Sequence, residues 1–247
     1  MRRILYPLYQ VYKWIVYIPL LVFFTVLFVG IGIVVAALFG SNAANRTTGV
    51  WWARTMSALT PIRVEVIGRE RIDPNISYVV VSNHQSHFDI FVLYGWLGID
   101  IKWVIKQELR KIPVFGYAGE VGGNIYINRS DPKAAYESLQ IARERIRNGT
   151  SLIFFPEGKR NLRDPHDLGH FKKGAFVTAL DLELPILPVS ISGTREIQPP
   201  KTFSLYPGKA VMVIHRAIDT SEYSTDTLGD LIELTRSVIE KGLGTHD

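Results

Sequence analysis

The longest pattern in the chain is apolar. Trp14 to Asn45 contains no charged residue, and Trp14 to Gly40 is almost continuously hydrophobic. As a helix this stretch would run roughly 40 Å, and a bilayer crossing needs about 20 residues. It is longer and more uniform than a soluble core helix or the apolar region of a secretory signal, and no clear cleavage site follows it. Arg2, Arg3 and Lys13 precede the run; Arg46, Arg54 and Arg63 follow it. Basic flanks favour the cytoplasmic side of a membrane, and a single span would place the two sets on opposite sides. A re-entrant hairpin dipping into one leaflet keeps them together, with bends expected at Pro19 and at Gly30 and Gly32. A single span is the alternative. Trp51 and Trp52, beside Arg54, open an interfacial segment that ends near Pro61.

After Pro61 strands and helices alternate. The runs Arg63–Ile67, Tyr78–Ser82, Ile101–Ile105, Asn124–Asn128, Ser151–Phe155, Ile186–Ser192 and Ala210–His215 read as strands. Several are solidly apolar, as strands buried on both faces are. Lys133–Asn148 reads as a helix with Ser130 at its N-cap, Pro132 in its first turn and Gly149 at its close. Its apolar stripe is Ala135, Leu139, Ala142 and Ile146. Gly174–Glu183 and Thr225–Lys241 are further helices, the latter with Leu228, Leu231, Ile232, Val238 and Ile239 facing inward. The fold class is α/β: one domain with a largely buried mixed sheet flanked by helices, carrying an N-terminal apolar helical membrane element. The expected division is residues 1–60 for the membrane element and 61–247 for the α/β domain.

Charge narrows the partners. The 247 residues carry 28 Lys and Arg against 23 Asp and Glu, a net charge of +5. Such a balance suits anionic partners: nucleic acid, a phospholipid surface or a phosphorylated substrate. There is no Walker-type P-loop, no GxGxxG fingerprint and no known nucleic-acid motif, so the apolar N-terminus makes lipid the better partner. The absence of cysteine excludes a thiol nucleophile, a disulfide framework and a thiolate metal site.

The chemistry concentrates where Val79-Val80-Val81 breaks into Ser82-Asn83-His84-Gln85-Ser86-His87-Phe88-Asp89. A buried strand that delivers His and Asp to its C-terminal end is where α/β proteins place their sites. His84 can accept a proton near neutral pH, and Asp89 can fix its tautomer. The same residues can also be read as a polar turn in which Asn83, Ser86 and Asp89 cap a helix, or as zinc ligands with His87. A second strand end carries Pro156-Glu157-Gly158-Lys159-Arg160-Asn161, and a third closes Gly123–Asn128 on Arg129. An arginine fork suits phosphate, and Lys106 lies at a comparable strand end. Each can equally be an ordinary solvated charge. Pro185 and Pro188 are expected to shape a loop or groove wall. His166, Asp167 and His170 read as an exposed loop, and Lys172 and Lys173 as a surface pair facing lipid headgroups.

Four of these pieces, in this order, resemble the bacterial 1-acyl-glycerol-3-phosphate acyltransferases, within the glycerolipid acyltransferase superfamily. The family's Asn-His-x4-Asp motif is matched by Asn83, His84 and Asp89, and its glycine-led strand closing on arginine by Gly123 to Arg129. Its Phe-Pro-Glu-Gly-Thr-Arg-Ser motif stands here as Phe155 to Asn161, with Lys159 for Thr and Asn161 for Ser. Its Pro-x-x-Pro strand is matched by Pro185 and Pro188. The match covers roughly residues 60 to 215.

The resemblance implies an enzyme of phospholipid synthesis that moves an acyl chain from coenzyme A or acyl carrier protein to the sn-2 hydroxyl of lysophosphatidate. It implies His84 as general base and Asp89 as its orienting partner. Arg129, with Lys106 and Arg160, would bind the phosphate; Glu157 would position the acceptor or brace its loop; the Gly158 amide would help hold the oxyanion. No metal or organic cofactor is implied beyond the acyl carrier. The implied partners are a phospholipid membrane, lysophosphatidate and the acyl donor, and the implied place is the cytoplasmic face of the inner membrane. The alternatives are another acceptor such as glycerol-3-phosphate or a lysophospholipid, a non-catalytic peripheral lipid-binding protein, and a zinc hydrolase.

Overall fold

Every expected strand forms, within two residues of its expected ends. They are β1 (Ile62–Ile67), β2 (Val79–Ser82), β3 (Asp100–Lys106), β4 (Ile125–Ile127), β5 (Thr150–Phe154), β6 (Ile186–Ser192) and β7 (Gly208–Ile214). In this computed structural model, which describes residues 2–128, 143, 146, 149–160, 168–202 and 204–244, they join one sheet in the order β1-β7-β6-β2-β5-β3-β4. The β6–β7 ladder is antiparallel and all others are parallel, so the sheet is mixed. Five neighbouring strands, β6, β2, β5, β3 and β4, therefore point their C-terminal ends to one edge.

β2 lies at the middle of the sheet and is buried throughout. Val80 packs on one face with Phe88, Val92 and Leu93 of α5 (Phe88–Trp96). Val79 and Val81 pack on the other with α7 (Gly174–Asp181) and α9 (Leu228–Leu243). A strand covered on both faces has no polar side to alternate with, which is why its sequence is a solid apolar run. α9 presents Leu231, Thr235 and Ile239, with Leu243 one turn on, rather than Val238, to this core. Further helices after β1 are α6 (Phe115–Val121) and the single turn α8 (Thr194–Ile197). The expected helix Lys133–Asn148 lies outside the described residues apart from Arg143 and Ile146.

Pro188 stands inside β6, as the expected strand Ile186–Ser192 requires, opposite Val81 of β2. Its carbonyl accepts the His215 N–H at 3.0 Å. β7 ends at Ile214, so the missing N–H of Pro188 removes only the return bond of a terminal pair.

The N-terminal element is a helical hairpin, but it does not bend where the apolar pattern suggests. α1 (Arg2–Tyr12) and α2 (Ile18–Phe39) are joined by a π-helical turn, Lys13–Tyr17, that keeps the chain helical. The Ile18 N–H reaches back to the Lys13 carbonyl, the wider turn that lets Pro19 enter at the start of α2 without a break. Gly30 and Gly32 lie within α2. The chain reverses at Gly40, at φ 86° and ψ 164°, a region essentially closed to residues with a Cβ. It returns through α3 (Ser41–Ala44), a π-helical turn, Asn45–Gly49, and α4 (Val50–Leu59).

The two arms pack closely. A Cβ on Gly32 would sit 3.1 Å from Thr48 Oγ1, and Trp52 Nε1 donates to Thr25 Oγ1 at 3.1 Å. At the tip, Asn42 Nδ2 donates to Thr150 Oγ1 and Asn45 Nδ2 to the carbonyls of Ile101 and Gly122. The hairpin thus lies along the sheet and is pinned to it at the far end. Its outward face is apolar, and Pro7–Phe39 is long and hydrophobic enough to cross a membrane by length and composition, which supports association with a membrane.

Two glycines with no atom near a built Cβ separate these bend points. Gly40→Ala should lower stability by about 1–3 kcal/mol through backbone strain alone. Gly30→Ala, inside the helix, should raise it by up to about 1 kcal/mol. Thermal unfolding in detergent reads both signs, and the opposite pair of signs would return the bend to Gly30.

Candidate functional site

Asn83 sets the loop after β2. Its Nδ2 donates to the Ile191 carbonyl and its Oδ1 accepts the Ile191 N–H, both at 2.8 Å. The side-chain amide acts as one more rung between β2 and β6 and holds the following residues at the strand-end edge. Asp89, in the first turn of α5, is fully buried. Its Oδ2 accepts the N–H groups of Gln85 and Ser86 at 2.7 and 2.9 Å and meets His84 Nδ1 at 2.8 Å. Its Oδ1 accepts the Thr194 hydroxyl at 2.5 Å.

A carboxylate ringed by donors acts as acceptor, so Nδ1 of His84 carries the proton and Nε2 is left basic. The imidazole also stacks on Phe155, with ring centroids 3.9 Å apart and planes 9° from parallel. Hydrogen bond and stack together define the ring's direction. The capping reading does not hold for Asn83 and Asp89: Asn83 bonds Ile191 and Asp89 ties the loop N–H groups that precede α5, while the Ser86 hydroxyl accepts the Phe88 N–H at 3.3 Å.

Glu157 is a brace. Oε1 accepts the His84 N–H at 3.1 Å and Oε2 accepts the Gly169 N–H at 3.0 Å. Burial holds its carboxyl above the ordinary range, and those two N–H donors only partly offset the rise. Gly158 follows at φ +71°. Its N–H closes the turn on the Phe155 carbonyl at 3.0 Å, which corrects the expectation of a free oxyanion donor there. The absence of a Cβ at Gly158 leaves room for the Lys172 ammonium, which would lie 2.9 Å from one.

His84 lines an apolar cavity of about 1000 Å³, walled by α2, the return arm of the hairpin and α6. Lys106, Gly158, Lys159 and Arg160 line the same cavity. Lys106 is exposed and pairs with Glu108 at 2.9 Å. Desolvation and then the positive charge of Arg160 hold His87 below the usual histidine range. The fold therefore brings together His84, Asp89, Lys106, Glu157, Gly158 and Arg160. Arg129 and Asn161 lie outside the described residues.

Three contributors escaped the sequence pattern. Thr194 lies 105 positions from Asp89. It is set by Gly193, at φ +80°, where a Cβ would meet the Lys209 carbonyl at 2.1 Å; a lone Gly-Thr after a strand is the only local signal. The ring of Phe155 and the position of Lys172 over Gly158 likewise emerge only when strands become neighbours.

Residues 63–192, more than half of the chain, match the family described as Acyltransferase. The chain is similar to a 1-acyl-sn-glycerol-3-phosphate acyltransferase of Chlamydomonas reinhardtii, 35% identical over 68% of this chain and 50% of that one. It is similar to the enzyme of that name from Pseudomonas aeruginosa, 33% identical over 68% and 63%. It spans about half the length of several of the curated relatives it matches. The solved structure of the 1-acyl-sn-glycerophosphate acyltransferase of Thermotoga maritima superposes with a TM-score of 0.79 at 25% identity, covering 98% of this chain and 96% of that one. With the family match reaching from β1 to the end of β6, and the shared fold reaching from the hairpin to α9, the chain belongs to the acyltransferase family.

Proposed function

We propose that this protein transfers an acyl chain from a thioester, carried on coenzyme A or acyl carrier protein, to the sn-2 hydroxyl of lysophosphatidate. The observation that carries this reading is an imidazole locked by Asp89 in the wall of a large apolar cavity that Lys106, Lys159 and Arg160 also line. His84 Nε2 takes the hydroxyl proton as the oxygen attacks the thioester carbonyl. Asp89 stabilises the imidazolium. Collapse of the tetrahedral intermediate breaks the C–S bond, and the imidazolium returns its proton to the departing sulfur. The products are phosphatidate and a free thiol, with no acyl-enzyme and no metal or organic cofactor beyond the donor. The cavity suits an acyl chain. Arg129, Lys106 and Arg160 are the proposed phosphate ligands, and Thr194 and Glu157 position the histidine turn.

Residues 1–60 are the proposed anchor and 61–247 the catalytic part. The hairpin lies along the sheet from Trp52–Thr25 to Asn42–Thr150, so a spanning α2 would drag the sheet's polar surroundings into the bilayer. A hairpin lying in one leaflet, on the cytoplasmic face of the inner membrane, avoids that cost and brings His84 to the depth of lipid headgroups.

His84→Ala should reduce thiol release from acyl thioester plus lysophosphatidate by 10²- to 10⁴-fold, the usual span for general-base catalysis. Thr194→Val leaves a buried carboxylate oxygen without its donor and should lower kcat about tenfold, with both KM values unchanged and Thr194→Ser restoring the rate. Near-normal release from folded His84→Ala protein overturns the mechanism.

Arg129→Ala should raise KM for lysophosphatidate about 10- to 100-fold, the weight of a charge-assisted phosphate bond of roughly 1.5–3 kcal/mol. The KM for the acyl donor should hold; the reverse pattern would move Arg129 to the carrier site.

In this cysteine-free chain, Ile4→Cys should resist a membrane-impermeant thiol reagent applied from the periplasm. Labelling from that side would mean a full span.

A further inference from the structure

Outside the N-terminal helices, exposed large apolar side chains gather in one place among the described residues. Ile112, Val114, Phe115 and Tyr117 are 47, 42, 49 and 54% exposed, with Leu109 beside them; Ile76 and Leu234 are isolated. A contiguous apolar surface of this kind on a folded domain marks a contact site.

This projection is built, not loose. Val114 stands at φ 65° and ψ −53°, with the Phe115 N–H on the Pro113 carbonyl at 2.7 Å. That is the γ-turn with positive φ, a strained conformation for a β-branched residue. Its base is held firmly. A Cβ on Gly116 would collide with the Arg110 carbonyl at 1.9 Å, the Tyr126 hydroxyl donates to the Gly116 carbonyl at 3.0 Å, and Arg110 pairs with Glu120. Strain is thus spent on holding Val114 and Phe115 out into the surroundings.

The inner side of the same segment faces the active site. Leu109, Pro113, Val114 and Phe115 line the same cavity as His84, as do Leu21 and Val26 of α2. The segment and the exposed apolar helix therefore wall the same cavity. A basic residue accompanies the tip, Lys111 next to Ile112, as suits anionic headgroups above buried apolar side chains.

We propose that residues 109–117 are a second bilayer-inserting wedge which, with α2, frames a lateral portal for an acyl chain passing from the leaflet into the cavity. The occupant of this surface is an anionic phospholipid bilayer. The inference rests on the membrane-surface acyltransferase reading and adds an entry route to it.

The test uses the full chain with one cysteine at a time, each carrying an environment-sensitive fluorophore. The sites are Ile112→Cys in the wedge, Phe23→Cys on the exposed side of α2, and Glu233→Cys on α9, which packs on the opposite sheet face. Protein is added to phosphatidylglycerol–phosphatidylcholine vesicles with and without lipids spin-labelled high on the acyl chain. Quenching at Ile112→Cys and Phe23→Cys, with none at Glu233→Cys, is the expected result. Quenching at Phe23→Cys alone overturns the wedge while leaving the membrane reading intact. Quenching at Ile112→Cys alone overturns the portal, and quenching at neither overturns the membrane reading with it. Separately, the Ile112→Ser, Tyr117→Ser double variant removes apolar insertion at two side chains that do not line the cavity. Activity on bilayer-dispersed lysophosphatidate should fall about tenfold, with activity on a monomeric short-chain analogue unchanged. Equal loss on both substrates overturns the proposal.

Discussion

The fully buried carboxylate of Asp89 is the constraint on which the site depends. A charge removed from water must be met by donors or it will not stay charged. Here Gln85 N–H, Ser86 N–H, His84 Nδ1 and the Thr194 hydroxyl surround its two oxygens. Meeting that demand shapes everything nearby. It draws the histidine turn around the first turn of α5, where the helix dipole favours an anion. It places α8 against α5 and orients the imidazole. Catalytic geometry is here a consequence of satisfying one buried ion.

A second polar demand fixes the hairpin. Asp100 and Lys102 are both buried, with Lys102 Nζ 3.2 Å from Asp100 Oδ2 and 3.0 Å from the Gly122 carbonyl. Thr150 donates to the same carboxylate and accepts from Asn42 at the hairpin tip. Apolar packing alone would let a helix as uniformly hydrophobic as α2 slide. A directional polar anchor at the tip and small residues such as Gly32 along the seam define one position. The cavity is what remains between that fixed helix and the sheet.

The hairpin and the wedge answer the same physical problem from two sides. The acceptor is a lipid whose hydroxyl lies at the membrane surface, while the general base sits at a sheet edge. A cavity walled on one side by the anchor brings the two together without a water-filled gap. The backbone strain at Val114 is intelligible in that setting, since strained backbone survives only where its surroundings over-determine it.

Periodicity and short-range spacing were enough to define the strands, because a strand buried on both faces must be apolar whatever its neighbours are. They brought His84 and Asp89 within reach of each other, five positions bridging a strand end and a helix start, but left a helix cap and a zinc site as alternatives until the motif order was set beside a family. They also marked Glu157 and Arg160 at a second strand end. Strand order, and with it the meeting of those ends at one edge, came only from the tertiary fold. So did Thr194, which shares no local pattern with Asp89, and the engagement of the Gly158 amide within its own turn. The expected bend points were misleading for the same reason: Pro19 is absorbed by a wider helical turn and Gly32 by a neighbouring helix, while the reversal falls to Gly40. A residue's conformational licence is local and legible in the sequence. Which licence is used depends on what packs against it, and that is decided only when distant segments meet.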